Sequence, residues 1–187
     1  MMEHRPVRIV TDSGSDLSAE IAAALEITVV PLVVLFGDQA IEEPSLTPDA
    51  FWTLAARNHV TPGTSQPSLG AFYRVFERLV QQGNDVICVT ITSRHSGTYS
   101  TACTAARPFG DRVTVIDSHA ISMGTGYTVM EAAAMALDGA PRQAIVKRLH
   151  ALRDRSHIMI HLESVEHIRA GGRVAKVMPL VDRLARA

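Results

Sequence analysis

Hydroxyl side chains are concentrated where an apolar segment gives way to a helical one, in the stretch 90–102, TITSRHSGTYSTA. Residues 86–91 are apolar and largely β-branched and predict a buried strand, and the residues from Ser96 onward predict the first turn of a helix. Such a turn leaves backbone N–H groups unpaired beside the positive end of the helix dipole, and this attracts anions. The stretch therefore predicts an anion site and leaves open whether the anion is bound or transformed.

Ser96 in the SGTY segment 96–99 has three interpretations. The plainest is an ordinary N-cap of the following helix. The second is a ligand contact, because Gly97 allows close backbone approach and Ser96 can point its hydroxyl outward. The third is the nucleophile of a hydrolase or transferase beside His95, although adjacent residues on such a turn usually point apart and the GxSxG pattern is absent.

A second group of hydroxyls lies in the TSQPS segment 64–68, which Pro62 and Pro67 stiffen. Alone it could be a capped helix start. It precedes a helix predicted to pack beside the central strand, so we expect its hydroxyls to face Ser96. Neutral hydroxyls and helix N-termini suit a carboxylate better than a polyphosphate, which usually recruits a Lys or a GxxxxGK[ST] loop. The pair of segments therefore predicts a carboxylate site.

The TDSGSD segment 11–16 and the SMGTG segment 122–126 carry weaker signals. Asp12 and Asp16 could hold a metal or accept a phosphoryl group, but Asp in such a turn more often forms turns and helix caps. The SMGTG segment is similar to a dinucleotide-binding loop, but Val129 replaces the third glycine of that fingerprint.

Two histidines and two methionines also permit more than one interpretation. His157 and His161 share one face of a predicted strand, and without an HExxH pattern we expect no metal there. Met130 and Met135 lie on a predicted helix and suit the core, although methionine also suits the wall of a pocket for a flexible apolar ligand.

Strand and helix patterns alternate along the chain, which predicts an α/β fold with a mostly parallel sheet and helices on both faces. The predicted strands are 7–10, 27–36 with a bend or edge position near Pro31, 85–91, 112–117 and 157–162. The predicted helices are 17–25, 47–57, 68–82, 96–107, 127–137, 141–153, 164–169 and 174 to the end, with a turn at 170–173. Ligands bind beyond the carboxyl ends of such strands, so the loops 11–16, 90–99 and 117–126 should meet at one edge.

Residues from about 154 begin a new strand and helix series that the sequence does not complete. We therefore expect an α/β first domain over residues 1–153 and the truncated start of a second α/β domain over residues 154–187.

Composition narrows the class of protein. Apolar residues make up 47% of the chain and charged residues 20%, and the net charge of −1 gives no electrostatic reason to expect a nucleic-acid partner. No segment approaches the roughly 18 apolar residues of a membrane span, so we expect a soluble cytoplasmic protein. Cys88 and Cys103 lack CxxC spacing and predict buried free thiols.

Five segments together resemble the DegV family of bacterial fatty-acid-binding proteins. They are TDSGSDL at 11–17, TSQPS at 64–68, SGTY at 96–99, VIDS at 115–118 with SMGTG at 122–126, and GGRV at 171–174. The resemblance implies a two-domain α/β protein that buries one long-chain fatty acid, such as palmitate, and performs no chemistry and uses no cofactor. It also implies a partner, because some relatives present the acyl chain to a fatty acid kinase.

The family holds the fatty acid carboxylate with the Thr of TSQPS and the Ser of SGTY, so the resemblance implies Thr64 and Ser96 here. Arg94 or His95 could replace positive charge that the family takes from its second domain, although a solvent-facing loop is the favoured role for both. The secondary pocket candidates are Ser13, Ser65, Arg94, His95, Gly97, Thr98, Ser118, Gly124 and Gly126.

A half-pocket without its second domain would expose an apolar face. We therefore expect either a homodimer through that face or reduced lipid affinity. Two alternatives stay open at this point. One is a Ser96-dependent hydrolase or transferase, and the other is a truncated interaction module that binds no lipid.

Overall fold

The structure is a computed structural model that describes residues 5–58, 62–159 and 161, leaving aside the side chains of residues 44, 48 and 58. The described residues form two compact units. The larger comprises residues 5–32 and 66–158, and the smaller is built on residues 33–58 and 62–65. Each unit has its own sheet.

The larger unit is a parallel α/β layer structure. Its strands are β1 (Val7–Asp12), β2 (Thr28–Val30), β6 (Asp85–Thr90) and β7 (Val113–Asp117), in the order β2-β1-β6-β7 with every pair parallel. Its helices are α1 (Ala19–Ala24), α3 (Leu69–Gln81), α4 (Thr98–Ala106), α5 (Met123–Leu137) and α6 (Arg142–Arg153). The smaller unit contains β3 (Val33–Phe36), β4 (Gln39–Glu42), β5 (Gly63–Ser65) and α2 (Pro48–Asn58).

Helices cover both faces of the parallel sheet, as the strand pattern predicts. Ile9 and Ile87 on one face pack with Val129 of α5 and Leu149 of α6. The other face packs against α3 and α4, and its core contains Val10, Val86, Cys88, Phe72, Phe76 and Ala102. Because both faces are buried, the strands β1 and β6 read as continuous apolar runs rather than alternating ones.

Local sequence explains where the helix α3 begins and which face it buries. Ser68 has extended backbone angles, and its hydroxyl accepts the backbone N–H of Ala71 as the N-cap. Phe72, Phe76 and Leu79 follow at helical spacing and are buried. The cap and the apolar stripe therefore fix both the start of α3 and its orientation on the sheet.

The smaller unit is an antiparallel sheet with the strand order β4-β3-β5. The turn between β3 and β4 has Gly37 at φ +60°, a left-handed angle that glycine adopts without steric cost. Phe51 of α2 packs edge-to-face against Phe36, with ring centroids 5.5 Å apart, and also against Trp52 at 5.1 Å.

The structure corrects four predicted boundaries. The segment 27–36 forms two strands in two sheets instead of one bent strand, because Pro31 interrupts the ladder and the N–H of Leu32 donates to the Ser13 hydroxyl at 2.9 Å. The short strands β4 and β5 were not predicted. The helix α5 begins at Met123 rather than Tyr127, after the abrupt turn at Ser122 with φ 52° and ψ −144°.

The fourth correction concerns the predicted strand 157–162, since residues 157–159 have no strand structure. Their side chains are exposed, and no strand pairs with them within the part of the chain that the structure describes. The predicted elements at 164–169, 170–173 and 174 onward lie outside the described residues. The division at 153/154 therefore stays a prediction, and it did not anticipate that residues 33–58 and 62–65 form a unit of their own.

The Asp12 carboxylate ties the end of β1 to the end of β6. Asp12 is fully buried. Its Oδ1 accepts the backbone N–H of Gly14 at 3.1 Å, and its Oδ2 accepts the N–H of Ile91 at 2.9 Å. One side chain therefore satisfies donors in two loops, and the second donor, Ile91, lies 79 residues from Asp12 in the chain.

We predict that Asp12→Ala lowers the free energy of unfolding by about 2–4 kcal/mol, because it leaves the buried N–H of Ile91 and the partly buried N–H of Gly14 without their charged acceptor. Asp12→Asn keeps one acceptor and should lose about half of that amount. Urea denaturation measures both. Asp16→Asn is the matched control, since Asp16 is exposed and has φ 54°, which Asn tolerates. Equal stability of the Asp12 and Asp16 variants would contradict the role of Asp12.

The two cysteines are free, and their environments differ. Cys88 on β6 is fully buried, whereas Cys103 on α4 is half-buried. Burial raises the pKa of the Cys88 thiol well above its usual value, and the nearby Asp12 carboxylate adds to that effect. Cys88 should therefore be inert in the folded protein.

We expect the thiol of a Cys103→Ser variant, which retains Cys88, to react with Ellman's reagent at pH 8 about 100-fold more slowly than that of a Cys88→Ser variant. The reason is that the Cys88 thiolate forms only when the sheet opens. Stopped-flow absorbance measures the rates, and labelling in urea is the control, where the two thiols should react alike. Comparable rates in the folded state would contradict the burial of Cys88.

Candidate functional site

Three loops meet at the carboxyl edge of the parallel sheet, as predicted for 11–16, 90–99 and 117–126. The loop after β1 bonds to the loop after β7 through the N–H of Ser122 and the carbonyl of Gly14, at 2.9 Å. The loop after β6 bonds to the loop after β7 through the N–H of Thr92 and the carbonyl of Ala120, at 2.8 Å. These bonds fix the three loops relative to one another.

Ser96 lies in a tight turn built around Thr92. The carbonyl of Thr92 accepts the N–H groups of His95 and Ser96, both at 3.3 Å, and its hydroxyl accepts the N–H of Arg94 at 3.3 Å. The N–H of Ser93 donates to the Asp117 carboxylate at 3.2 Å. The turn is therefore anchored on both sides before α4 begins.

The Ser96 hydroxyl is held at the first residue of α4. It accepts the backbone N–H of Thr98 at 3.2 Å and lies 2.8 Å from the Thr98 hydroxyl. The N-cap residue of α4 is Gly97, so the interpretation of Ser96 as an ordinary N-cap is wrong by one residue, although the Ser96 hydroxyl accepts the first helical N–H. Thr98 is fully buried, whereas Ser96 is half-buried.

The hydrogen bond between the Ser96 and Thr98 hydroxyls can run in either direction, and one of the two directions gives the Ser96 hydroxyl a defined polarity. A hydroxyl has one donor and accepts at most two hydrogen bonds. When the Thr98 hydroxyl donates to Ser96, that bond and the Thr98 N–H fill both acceptor positions of Ser96. The remaining Ser96 O–H then points away as a donor beside the positive end of α4, which suits an anion.

Gln66 occupies the space beside Gly97. A methyl group on Gly97 would overlap the Gln66 Oε1, so a larger residue there would require the Gln66 side chain to move. The Gln66 amide also donates to the Thr101 hydroxyl at 2.7 Å. The close approach predicted at Gly97 is therefore made by a side chain of the protein itself, and sequence analysis did not assign Gln66 this contact.

Thr64 and Ser65 are exposed residues of the strand β5 in the smaller unit. Thr64 pairs with Val34 of β3 in the antiparallel register, and Ser65 pairs with Val33. The structure thus describes Thr64 on a strand of one unit and Ser96 on a loop of the other, and their joint role stays a prediction.

The remaining predicted pocket residues divide into local hydrogen-bonding partners and packing positions. The Ser13 hydroxyl accepts the N–H of Leu32, and the buried Ser118 hydroxyl pairs with Thr125 at 2.9 Å and accepts the N–H of Ala120 at 3.1 Å. A methyl group on Gly126 would meet the Ser15 carbonyl oxygen at 2.6 Å, and one on Gly124 would meet Ala120 at 3.0 Å. Their pocket roles are untested.

Arg94 and His95 have exposed side chains on the turn. Asp12 serves as a cap of the turn 13–15, in agreement with the cap interpretation. The α1 cap is Ser18, whose hydroxyl accepts the N–H of Ile21 at 3.3 Å. Within the described ranges we find no group of three His, Cys, Asp or Glu side chains placed to hold a metal ion.

Sequence analysis also missed two polar features at this edge. Asp117 is buried and accepts the N–H groups of His119 and Ser93, so it supports the Ser96 turn from β7. The buried hydroxyls of Ser15 and Thr90 have no hydrogen-bond partner in the part of the chain that the structure describes. The sequence signal for Asp117 was its position at the end of a predicted strand. Nothing in the sequence indicates that the Ser15 and Thr90 hydroxyls lack a partner.

Comparison with known families identifies the relationship. Residues 6–186 match the family model of an uncharacterised protein, the DegV family. A DegV domain-containing protein of Staphylococcus aureus (strain COL) is 34% identical over 177 residues, which cover 94% of this chain and 63% of the relative. One of Deinococcus radiodurans is 32% identical over 179 residues, covering 95% and 64%. The chain thus spans less than two thirds of these relatives.

Solved structures agree with the sequence relationship. A structure described as the fatty acid binding of a DegV family protein from Thermus thermophilus superposes with a TM-score of 0.83 at 32% identity, covering 90% of this chain and 61% of that one. A stearic acid-binding protein from Eubacterium ventriosum gives 0.77 at 29%, covering 91% and 61%. The sheet order, the helices on both faces and the family motifs lead to one conclusion: the chain belongs to the DegV family.

Proposed function

We propose that this chain forms part of a protein that binds one long-chain fatty acid, with Ser96 and Thr64 as the hydroxyls that bind its carboxylate. The observation that carries the proposal is the polarity of Ser96, whose acceptor positions can both be filled by Thr98. Solved relatives described as fatty-acid-binding proteins support the same ligand class. Thr64 rests on the family resemblance of the TSQPS segment.

The same contacts weigh against the hydrolase alternative. A serine nucleophile needs a general base within hydrogen-bonding distance of its hydroxyl. The partner of the Ser96 hydroxyl is the hydroxyl of Thr98, which is not a base at neutral pH. We therefore propose binding without catalysis, and no cofactor beyond the fatty acid itself.

Exposed apolar side chains near the start of α5 support an acyl ligand. Met123 and Tyr127 are one helical turn apart and are 44% and 52% exposed, and Ile158, which packs beside Gly124, is 40% exposed. We propose that this apolar surface is where the acyl chain, or a second copy of this chain, makes contact. Met135 packs instead against the buried core of the larger unit.

Magnitudes assign different roles to the two ends of the ligand. About a dozen buried CH₂ groups contribute on the order of 10 kcal/mol gross. A hydrogen bond to a charged group contributes roughly 1.5–3 kcal/mol net. The acyl chain should therefore set the affinity, while Ser96 and Thr64 set its orientation. We include presentation of the bound acid to a fatty acid kinase in the proposal, on the family resemblance.

We predict that Ser96→Ala and Thr64→Ala each weaken palmitate binding about 5- to 30-fold, because each removes one donor to the carboxylate. If both bind the same carboxylate, the double variant should deviate from additivity by at least about 0.5 kcal/mol. Isothermal titration calorimetry on the 187-residue chain measures the three affinities.

Two controls accompany this cycle. Ser100→Ala removes an exposed hydroxyl from the same helix and should leave the affinity unchanged. Hexadecanol, which has the same chain length and an uncharged headgroup, should lose less affinity than palmitate in the Ser96 variant, because a hydrogen bond to a neutral oxygen is weaker than one to a carboxylate. Additive effects in the double variant would show that Thr64 and Ser96 do not bind the same carboxylate. If the wild type binds no palmitate, the proposed function is refuted for this chain.

A second prediction concerns Gln66 as a positioning residue. Gln66 follows Thr64 by two residues and is fixed to α4 through the Thr101 hydroxyl. Thr101→Val removes that acceptor at nearly constant volume and should weaken palmitate binding about 3- to 10-fold, since one hydrogen bond is worth about 1 kcal/mol. The rate of amide hydrogen exchange should also rise at residues 64–66 only. A loss of global stability would instead raise the exchange rate over the whole chain.

Thr104→Val is the matched control for Thr101→Val, because the Thr104 hydroxyl bonds only within its own helix, to the Ser100 carbonyl. It should keep wild-type affinity. Identical behaviour of the two variants would show that Gln66 does not position the carboxylate site.

A further inference from the structure

The strand β7 is an edge of the parallel sheet. It pairs with β6 on one side, and its other side is unpaired within the residues that the structure describes. β7 is five residues long, whereas the opposite edge strand β2 has three. An edge of this length can accept another strand through its free backbone groups.

The hydrogen-bond pattern identifies which groups of β7 are free. The N–H of Ser118 donates to the Thr90 carbonyl on β6 at 3.1 Å. Because backbone groups alternate in direction along a strand, Thr114 and Ile116 also face β6, and Val113, Val115 and Asp117 face outward. The N–H of Val113 already donates to the Gly110 carbonyl, so Val113 offers only its C=O to a new strand. Val115 is therefore the centre of the open edge.

A groove of about 480 Å³ runs beside this edge, between β7 and α6. Thr114 lies on its sheet side, and Arg142, Gln143, Val146, Lys147 and His150 line its helix side. Lys147 and His150 are exposed, while the Nε of Arg142 lies 3.9 Å from an Asp85 carboxylate oxygen. The groove thus combines an apolar floor with a cationic wall.

Lys147 is the main positive charge beside the groove. Residues 141–155 contain five Lys or Arg residues, but Arg142, Arg148 and Arg153 lie in ion pairs with Asp85, Glu131 and Asp154. A strand added to β7 would direct alternate side chains toward α6, where they would meet Lys147 and His150. Negative side chains at those positions are favoured, and positive ones are opposed.

We propose that β7 and the groove beside α6 bind an extended, acidic peptide segment of a protein partner, which adds to the sheet as a strand. The C=O of Val113 and the N–H and C=O groups of Val115 and Asp117 provide the main-chain hydrogen bonds. The Lys147 ammonium favours acidic side chains, and the neighbouring His150 side chain can also contact them. This mode of recognition takes affinity from the main chain and specificity from alternate side chains. It is independent of the fatty acid proposal and uses none of the residues assigned to the carboxylate.

The direct test is fluorescence anisotropy with a fluorescein-labelled octapeptide of alternating Glu and Val, titrated with the 187-residue chain. We expect saturable binding that weakens with added NaCl and at least about tenfold weaker binding of the Lys and Val counterpart. The double variant Lys147→Glu and His150→Glu should also weaken binding of the acidic peptide at least about tenfold. Arg78→Glu, an exposed charge reversal on α3, should have no effect.

Val115→Pro isolates the main-chain contribution. It removes an outward N–H without deleting a hydrogen bond to β6. Edge strands tolerate proline at such outward positions. Peptide binding should be lost while circular dichroism stays unchanged, and the Lys147 and His150 double variant keeps the test valid if the proline variant does not fold. Equal binding of both peptides, equal competition by an oligothymidylate, or a wild-type dimer that Val115→Pro dissociates would each overturn the proposal.

Discussion

The buried carboxylate of Asp12 is the interaction on which the carboxyl edge of the sheet depends. It accepts one N–H in its own turn and one at the end of β6, so that the loops after β1 and β6 cannot move independently. Asp117 repeats this arrangement between β7 and the Ser96 turn. The parallel register brings the three strands to one edge, and the two carboxylates convert that edge into a fixed surface.

In the site that we propose on this surface, a neutral hydroxyl would acquire its preference for anions from its neighbours, since it has no charge of its own. Thr98 is buried and can fill the acceptor capacity of Ser96, which leaves a donor at the start of α4. The hydrogen bond that results is small beside the free energy of burying an acyl chain. In the proposed complex, the orientation and the affinity of the fatty acid would therefore depend on different parts of the protein, and substitutions at the two ends of the ligand should have different effects.

The sequence predicted the parallel sheet, the positions of most helices and the meeting of three loops, because these follow from apolar periodicity and from strand direction. It did not separate β2 from β3, because a proline such as Pro31 is compatible both with one bent strand and with a break between two strands. The hydrogen bond from Leu32 to Ser13 distinguishes these two cases. It also gave no sign that Gln66 lies against Gly97. Such long-range side-chain contacts leave no periodic signal in a sequence.

The most direct test of the central claim is ¹³C NMR of carboxyl-labelled palmitate bound to the chain as a function of pH. A donor from Ser96 stabilises the charged form, so the pKa of the bound carboxyl group should lie lower in the wild type than in Ser96→Ala, and the bound signal should stay in its ionised position to lower pH. Superimposable titration curves for the two proteins would contradict the account, because the Ser96 hydroxyl would then make no contact with the carboxylate.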